Sequence, residues 1–278
     1  MTEKYSTTVE TARNYYNSDD SDNFYATIWG GEDIHIGIYE TENDSIFDAS
    51  RRTVYKIAKM LTLNESSRVL DIGAGYGGTA RYLAKTNGCH VDCLNLSEVH
   101  NQRNRKLTQE QGLANKIRVI EGNFEAIPLD DQQYDVVLSQ DAIVHSSNRR
   151  KVLEEVRRVL KPNGEFIFTD LMQSDDCPTD VLTLVYERIH LDSMGSVGFY
   201  LKTTQELGLE KLNIIKMNEQ LVNHYSNVLQ EIEARYDNIL KICSQEYIDH
   251  MKVGLNHWIE QGKKGYLSWG ILHFRKHG

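Results

Sequence analysis

Apolar and polar positions divide the chain into two kinds of segment. Short apolar runs bounded by turn residues recur at Val69–Ile72, 90–97 (H-V-D-C-L-N-L-S), Ile117–Glu121, Tyr134–Ser139 and Glu165–Leu171, and each reads as a strand. Between them the period is helical. Thr41–Leu61 carries Ile46, Ala49, Val54, Ile57, Ala58 and Leu61 at helical spacing. A helix is predicted from about Thr79, another from Val99 to the stop at Gly112, and a third over Arg149–Leu160, halted before Pro162 and turned by Asn163-Gly164. Strands alternating with helices predict a parallel, doubly wound α/β sheet.

Both flanks exceed what that sheet needs. Residues 1–10 are polar and read as a frayed end, Thr11–Tyr16 as a short helix, and N-S-D-D-S-D-N as a solvated turn. Phe24–Tyr39 is dense in aromatics and glycine, the composition of a covering segment rather than a buried strand. Downstream, Val181–Leu191 reads as helix, Leu212–Met217 as a sixth strand, Val222–Gln261 as one long amphipathic helical stretch, and Tyr266–Phe274 as a final strand. The expected division is a helical N-terminal cover and lid over 1–62, a core over 63–172, and cover helices with the last two strands over 173–278. The added helices suit either a substrate cover or an interface between copies of the chain.

Composition narrows the function classes. A formal charge of −9 lacks the basic footprint that a nucleic-acid partner requires. The N-terminus has no apolar signal-peptide core, and no apolar run approaches the ~20 residues of a membrane span, so a cytoplasmic protein without membrane contact is expected. Cys89, Cys93, Cys177 and Cys243 have no zinc-type spacing and read as reduced thiols, with no metal site.

The chemistry concentrates at R-V-L-D-I-G-A-G-Y-G-G-T-A. Gly73 and Gly75 allow a sharp turn in which a ligand can lie against bare backbone, while Gly77 and Gly78 let the next helix pack close to the sheet. Gly73, Gly75 and Gly78 also satisfy G-x-G-x-x-G, so a dinucleotide is one candidate. The acidic residue, however, precedes the glycines: Asp71 ends the strand. D-x-G-x-G resembles the first motif of the class I S-adenosyl-L-methionine-dependent methyltransferases. That cofactor has an ammonium and a carboxylate but no phosphate, and Asp71 is suited to orienting its amino-acid end.

The resemblance implies a Rossmann-like fold: a seven-stranded, mostly parallel sheet, its last strand antiparallel, with a helical N-terminal cover and a helical insert before that strand. It implies S-adenosyl-L-methionine as cofactor, S-adenosyl-L-homocysteine as product, and a binding rim beyond the strand ends made by Asp71, Gly73, Ala74, Gly75, Asn95, Leu96, Asn123, Phe124 and Gln140. Asn95 stands where the family usually has an acid for the ribose hydroxyls. Asn123 stands where it often has Asp for the adenine amino group, and Phe124 offers an apolar edge.

After the fourth strand comes S-Q-D-A-I-V-H. If a helix starts here, Asp141 and His145 share a face toward the rim. The D-A-I-x-H run, with Phe24-Tyr25, resembles the phosphoethanolamine and related amine N-methyltransferases, in which a cover tyrosine and this histidine latch the lid and handle protons. The implied pair is Tyr25 and His145, with Asp141 beside them as the third catalytic candidate. T-D-L-M-Q, E-R-I-H-L-D-S-M-G-S and W-I-E-Q-G-K-K-G-Y-L-S-W-G-I-L-H-F-R-K are similar to the sarcosine/dimethylglycine N-methyltransferases, which complete glycine betaine synthesis. The implied reaction is in-line methyl transfer to the amine of a small methylated glycine. Trp29, Leu171, Met172, Arg188 and Met194 are the substrate candidates, and Tyr39 is a further aromatic near them. His145 either accepts the amine proton or only orients a neutral substrate. A phosphobase or lipid-headgroup methyltransferase and a non-catalytic cofactor-binding regulator are the alternatives.

Overall fold

A computed structural model describes residues 6–29, 31–189 and 191–278. Three helices come first: α1 (Thr7–Asn17), α2 (Asp19–Ile28) and α3 (Ile46–Met60). The core then runs β1 (Arg68–Ile72), α4 (Gly78–Asn87), β2 (His90–Asn95), α5 (Glu98–Glu110), β3 (Ile117–Glu121), β4 (Tyr134–Gln140), α6 (Arg149–Val159) and β5 (Leu160–Thr169). The tail adds β6 (Met172–Gln173), α7 (Thr183–Arg188), α8 (Val197–Glu206), β7 (Leu209–Lys216), α9 (Asn218–Ala234), α10 (Tyr236–Ile239), α11 (Gln245–Lys263), β8 (Leu267–Ser268) and β9 (Gly270–Lys276).

The main sheet has seven strands in the order β3-β2-β1-β4-β5-β9-β7. The first five pair in parallel and β9 runs antiparallel to both neighbours. The strand order reverses beside β1, where β1 and β4 leave the crevice that open α/β sheets use for ligands. Val69, Leu70 and Ile72 are fully buried, as a strand covered on both faces requires.

Several boundaries depart from the sequence pattern for identifiable reasons. Of the end expected to fray, residues 1–5 lie outside the described residues, but Thr7 onward is helical, with the Ser6 hydroxyl capping the Val9 amide. The N-S-D-D-S-D-N run is not a solvated turn. Ser18 caps α2, and Asp19, Asp20 and Asp22 occupy its first turn, where the helix dipole favours anions. The 222–261 stretch is broken at Ala234–Arg235 and again before Ser244, which caps α11. β5 starts at Leu160 because the Pro162–Gly164 turn is absorbed as a register irregularity opposite Tyr134–Val136. The final strand divides at Trp269: β8 pairs with β6, and β9 joins the main sheet. Among the described residues, no helix is long and apolar enough to cross a membrane.

Candidate active site

The turn after β1 is held by its own backbone, with the Gly73 and Ala74 amides donating to the Leu94 carbonyl at 2.8 and 3.2 Å. Gly73 sits at φ +77°, and a Cβ there would come within 2.3 Å of the Ala142 methyl. This bare turn floors a slot of about 740 Å³ lined by Gly75, Asn95, Leu96, Asn123, Phe124 and Gln140 among others. Its acidic end is lined by Glu32, Asp33, Asp71, Ala74 and Gln140 among others. Burial raises the Asp71 carboxyl to about 7, with Asp33 adding repulsion. Asp33 is raised to about 6, also mainly by burial, although Arg51 lies 2.8 Å away. The Gln140 Oε1 accepts from Thr79, while its Nε2 is buried with no partner. Two buried carboxylates would repel a pyrophosphate. They suit the ammonium of the amino-acid end of S-adenosyl-L-methionine, and the partnerless Gln140 amide offers a donor to its carboxylate.

A second, small chamber adjoins the slot. Tyr16, Ile34, Asp141 and His145 line both spaces. The remaining chamber walls include Tyr25, Trp29, His35, Leu171, Arg188 and Tyr225. The aromatic faces are packed closely, with Tyr25–Trp29 centroids 4.9 Å apart and Tyr16–Tyr25 centroids 5.8 Å apart. Arg188, at the end of α7, is 2% exposed. Its guanidinium lies over Tyr225 at 4.8 Å and Trp258 at 5.2 Å. Gly254 of α11 makes room for it, since a Cβ there would fall 2.3 Å from the Arg188 Cγ. Among the described residues Arg188 has no carboxylate partner, and its Nε and Nη1 make no hydrogen bond. Burying a cation without an anion costs several kcal/mol, so the Arg188 guanidinium is an unsatisfied positive charge in the chamber wall.

The predicted residues divide accordingly. Asp71 and Ala74 line the acidic end, Gly73 lines both it and the slot, and Gly75, Asn95, Leu96, Asn123 and Phe124 line the slot. Trp29, Leu171 and Arg188 meet in the chamber. Met172 and Met194 do not line these cavities. Met172 is tied into the β6–β8 ladder and a buried cluster with Phe168 and Tyr200, while Met194 is buried in the other core cluster. Tyr39 is also set back, its hydroxyl meeting the His224 Nδ1 at 3.1 Å.

Tyr25 and His145, the expected pair, both line the chamber. Tyr16, from α1, takes the His145 Nε2 at 2.9 Å, and Tyr25 stands behind it, its hydroxyl 3.3 Å from that of Tyr15. Asp141 and His145 do not share an α-helical face. Asp141 has φ +52°, a left-handed kink, and His145 ends a single 3₁₀ turn. They converge because the kink throws Asp141 toward the cover. There its Oδ2 accepts from the Ile36 amide at 2.7 Å and its Oδ1 from the Trp269 indole at 2.8 Å. Sequence reasoning missed Tyr16, Ile34, His35 and Tyr225. The Tyr15-Tyr16 pair and the E-D-I-H-I-G run were visible, but neither periodicity nor spacing singles out which member faces a cavity.

A family model described as a methyltransferase domain matches residues 70–168. The sarcosine/dimethylglycine N-methyltransferase of Aphanothece halophytica is 58% identical over 266 residues, covering 95% of this chain and 96% of that protein. Its counterpart in Halorhodospira halochloris is 51% identical over 269 residues, covering 96% of each. The chain belongs to the sarcosine/dimethylglycine N-methyltransferase family. A crystal structure from Galdieria sulphuraria, provisionally assigned as a sarcosine dimethylglycine methyltransferase, superposes with a TM-score of 0.90 at 43% identity, covering 95% of this chain and 99% of that one. The protein is a methyltransferase with the Rossmann-like fold expected from its glycine turn. The domain match spans β1 to β5, whereas similarity to this family extends across the cover and insert that wall the chamber.

Proposed function

We propose that this methyltransferase uses S-adenosyl-L-methionine to convert sarcosine to dimethylglycine and dimethylglycine to glycine betaine. One observation carries the substrate: the buried Arg188 guanidinium, without an anion of its own, in an aromatic chamber that opens onto the glycine slot. A methylated glycine complements it at both ends. Its carboxylate would occupy the Arg188 fork, and its methylated nitrogen would face the rings of Tyr16, Tyr25, Trp29 and Tyr225. Those rings stabilise the positive charge that grows on nitrogen as the new bond forms.

When bound, the cofactor supplies a methyl group on a sulfonium. Asp71, Gly73 and Ala74 would hold its amino-acid end and Gln140 would donate to it, with Gly75 closing that turn. Asn95 and Leu96 would meet the ribose, and Asn123 and Phe124 the adenine. The Tyr16–His145 contact would latch α1 over the slot, excluding water and keeping the nitrogen aligned. Asp141 would act by fixing the cover rather than by touching the substrate. Leu171 and Ile189 add apolar wall to the chamber, which would suit a secondary or tertiary amine better than glycine.

The test is S-adenosyl-L-homocysteine production with glycine, sarcosine, dimethylglycine and phosphoethanolamine offered in parallel. Turnover confined to the two methylated glycines is expected. Turnover of phosphoethanolamine alone would sink the proposal, and cofactor binding without any turnover would favour a regulator.

A further inference from the structure

Dimethylglycine in water near neutral pH carries a proton where the methyl must arrive, because an alkylammonium has a pKa of about 10. A base is therefore needed at the boundary between chamber and slot. His145 is not the free acceptor there, because its Nε2 already meets the Tyr16 hydroxyl.

His35 occupies that boundary. It lines both the chamber and the acidic end beside the glycine turn. Its Nδ1 lies 3.1 Å from the Ile36 carbonyl. A carbonyl can only accept, so Nδ1 carries the hydrogen and Nε2 keeps a bare lone pair. That Nε2 is buried and has no partner. The backbone around it is clamped: the His35 carbonyl accepts from the Trp29 indole at 3.3 Å and the Ser50 hydroxyl at 3.2 Å, and the Ile36 carbonyl accepts from Thr53 at 2.9 Å. Asp141, which ties down the Ile36 amide, is the carboxylate whose charge favours protonation of this imidazole.

We propose that His35 is the general base, its Nε2 taking the proton from the substrate ammonium before methyl transfer. This rests on the methylated-glycine assignment above. The N–H bond breaks, its electron pair stays on nitrogen as the nucleophile, and the proton forms an N–H bond on Nε2. It later leaves to solvent, so each turnover releases one proton. Asp141 steadies the resulting imidazolium, an arrangement in which a buried carboxylate supports a histidine base. The charged and titratable groups around the ring are Asp141 after β4, Arg51 of α3 and His224 of α9, with Glu32, Asp33 and Asp71 across the acidic end and Arg188 and His145 across the chamber. Burial pulls the ring toward the neutral form, and Asp141 opposes that.

The test compares His35→Gln with the wild type on dimethylglycine across pH. A general base contributes about 10²- to 10⁴-fold near neutral pH, and the deficit should shrink toward pH ~10, where the free amine is supplied by solution. S-adenosyl-L-homocysteine affinity, read by calorimetry, should stay within about threefold, as for a residue acting on the proton alone. A deficit under about tenfold near neutral pH, or one constant with pH, would overturn the assignment. In the unmutated protein, ¹⁵N NMR of the histidine ring gives an independent reading. Nε2 should be unprotonated in the free protein and become protonated when dimethylglycine joins the S-adenosyl-L-homocysteine complex. Nε2 protonated from the start would refute the base. Failure of the wild type on every methylated glycine would instead count against the proposed substrate.

Discussion

At the residue scale, the proposed substrate assignment rests on Arg188. Its stem is packed against α11 and its face against two aromatic rings, so its remaining donors have only the chamber to satisfy them. Removing one partner of a buried charge pair costs about 2–5 kcal/mol, so Arg188→Met should lower kcat/KM for dimethylglycine by about 10²-fold or more. Arg188→Lys should recover part of this, because the charge stays and the fork is lost. S-adenosyl-L-homocysteine binding should be unchanged in both, as calorimetry would show. Gly73 makes the complementary prediction. With φ +77° and the Ala142 methyl in the way, Gly73→Ala should reduce cofactor affinity about 5- to 150-fold, the ~1–3 kcal/mol of a strained backbone position, and lower Tm by a few degrees.

At the scale of elements, Asp141 is the strut. Its two oxygens tie the cover segment at Ile36 to Trp269 between β8 and β9, joining parts of the chain that are far apart in sequence. Asp141→Asn leaves one N–H donor facing an amide donor, a mismatch of about 1–3 kcal/mol. The expected result is a lower Tm by calorimetry, with KM for dimethylglycine raised more than that for the cofactor. This joint was not legible beforehand. The glycine turn and the strands of the core were, because continuous apolar runs and glycine geometry are local properties that survive without tertiary context. Arg188 is among the substrate candidates in the sequence, but a surface helix charge and a buried cation have the same sequence signature. The Tyr16–His145 contact was not legible, since α1 and the turn after β4 meet only through tertiary packing. Met172 and Met194 were misplaced for the same reason: a buried methionine in core and one in a pocket have the same sequence signature.

For the whole molecule, the acidic end of the slot is expected to couple cofactor binding to pH. Asp71 and Asp33 are raised to about 7 and about 6, above the unfolded value of about 3.9. Groups raised on folding stabilise fully only below the unfolded value, and that stabilisation is lost as pH rises through 6 and 7. The free protein should therefore lose stability between about pH 4 and 7 from this pair, while an ammonium bound between them removes the penalty. The Tm gain on adding S-adenosyl-L-homocysteine should be larger at about pH 8 than at about pH 6, and Asp71→Asn should flatten that difference. An equal gain at both pH values would separate the carboxylates from cofactor binding.

The most direct measurement is a crystal structure of the protein with S-adenosyl-L-homocysteine and dimethylglycine. The account predicts the dimethylglycine carboxylate within hydrogen-bond distance of the Arg188 guanidinium, and its nitrogen among Tyr16, Tyr25, Trp29 and Tyr225 with its open side toward sulfur. A carboxylate bound elsewhere, with the Arg188 donors still unpaired, would contradict it.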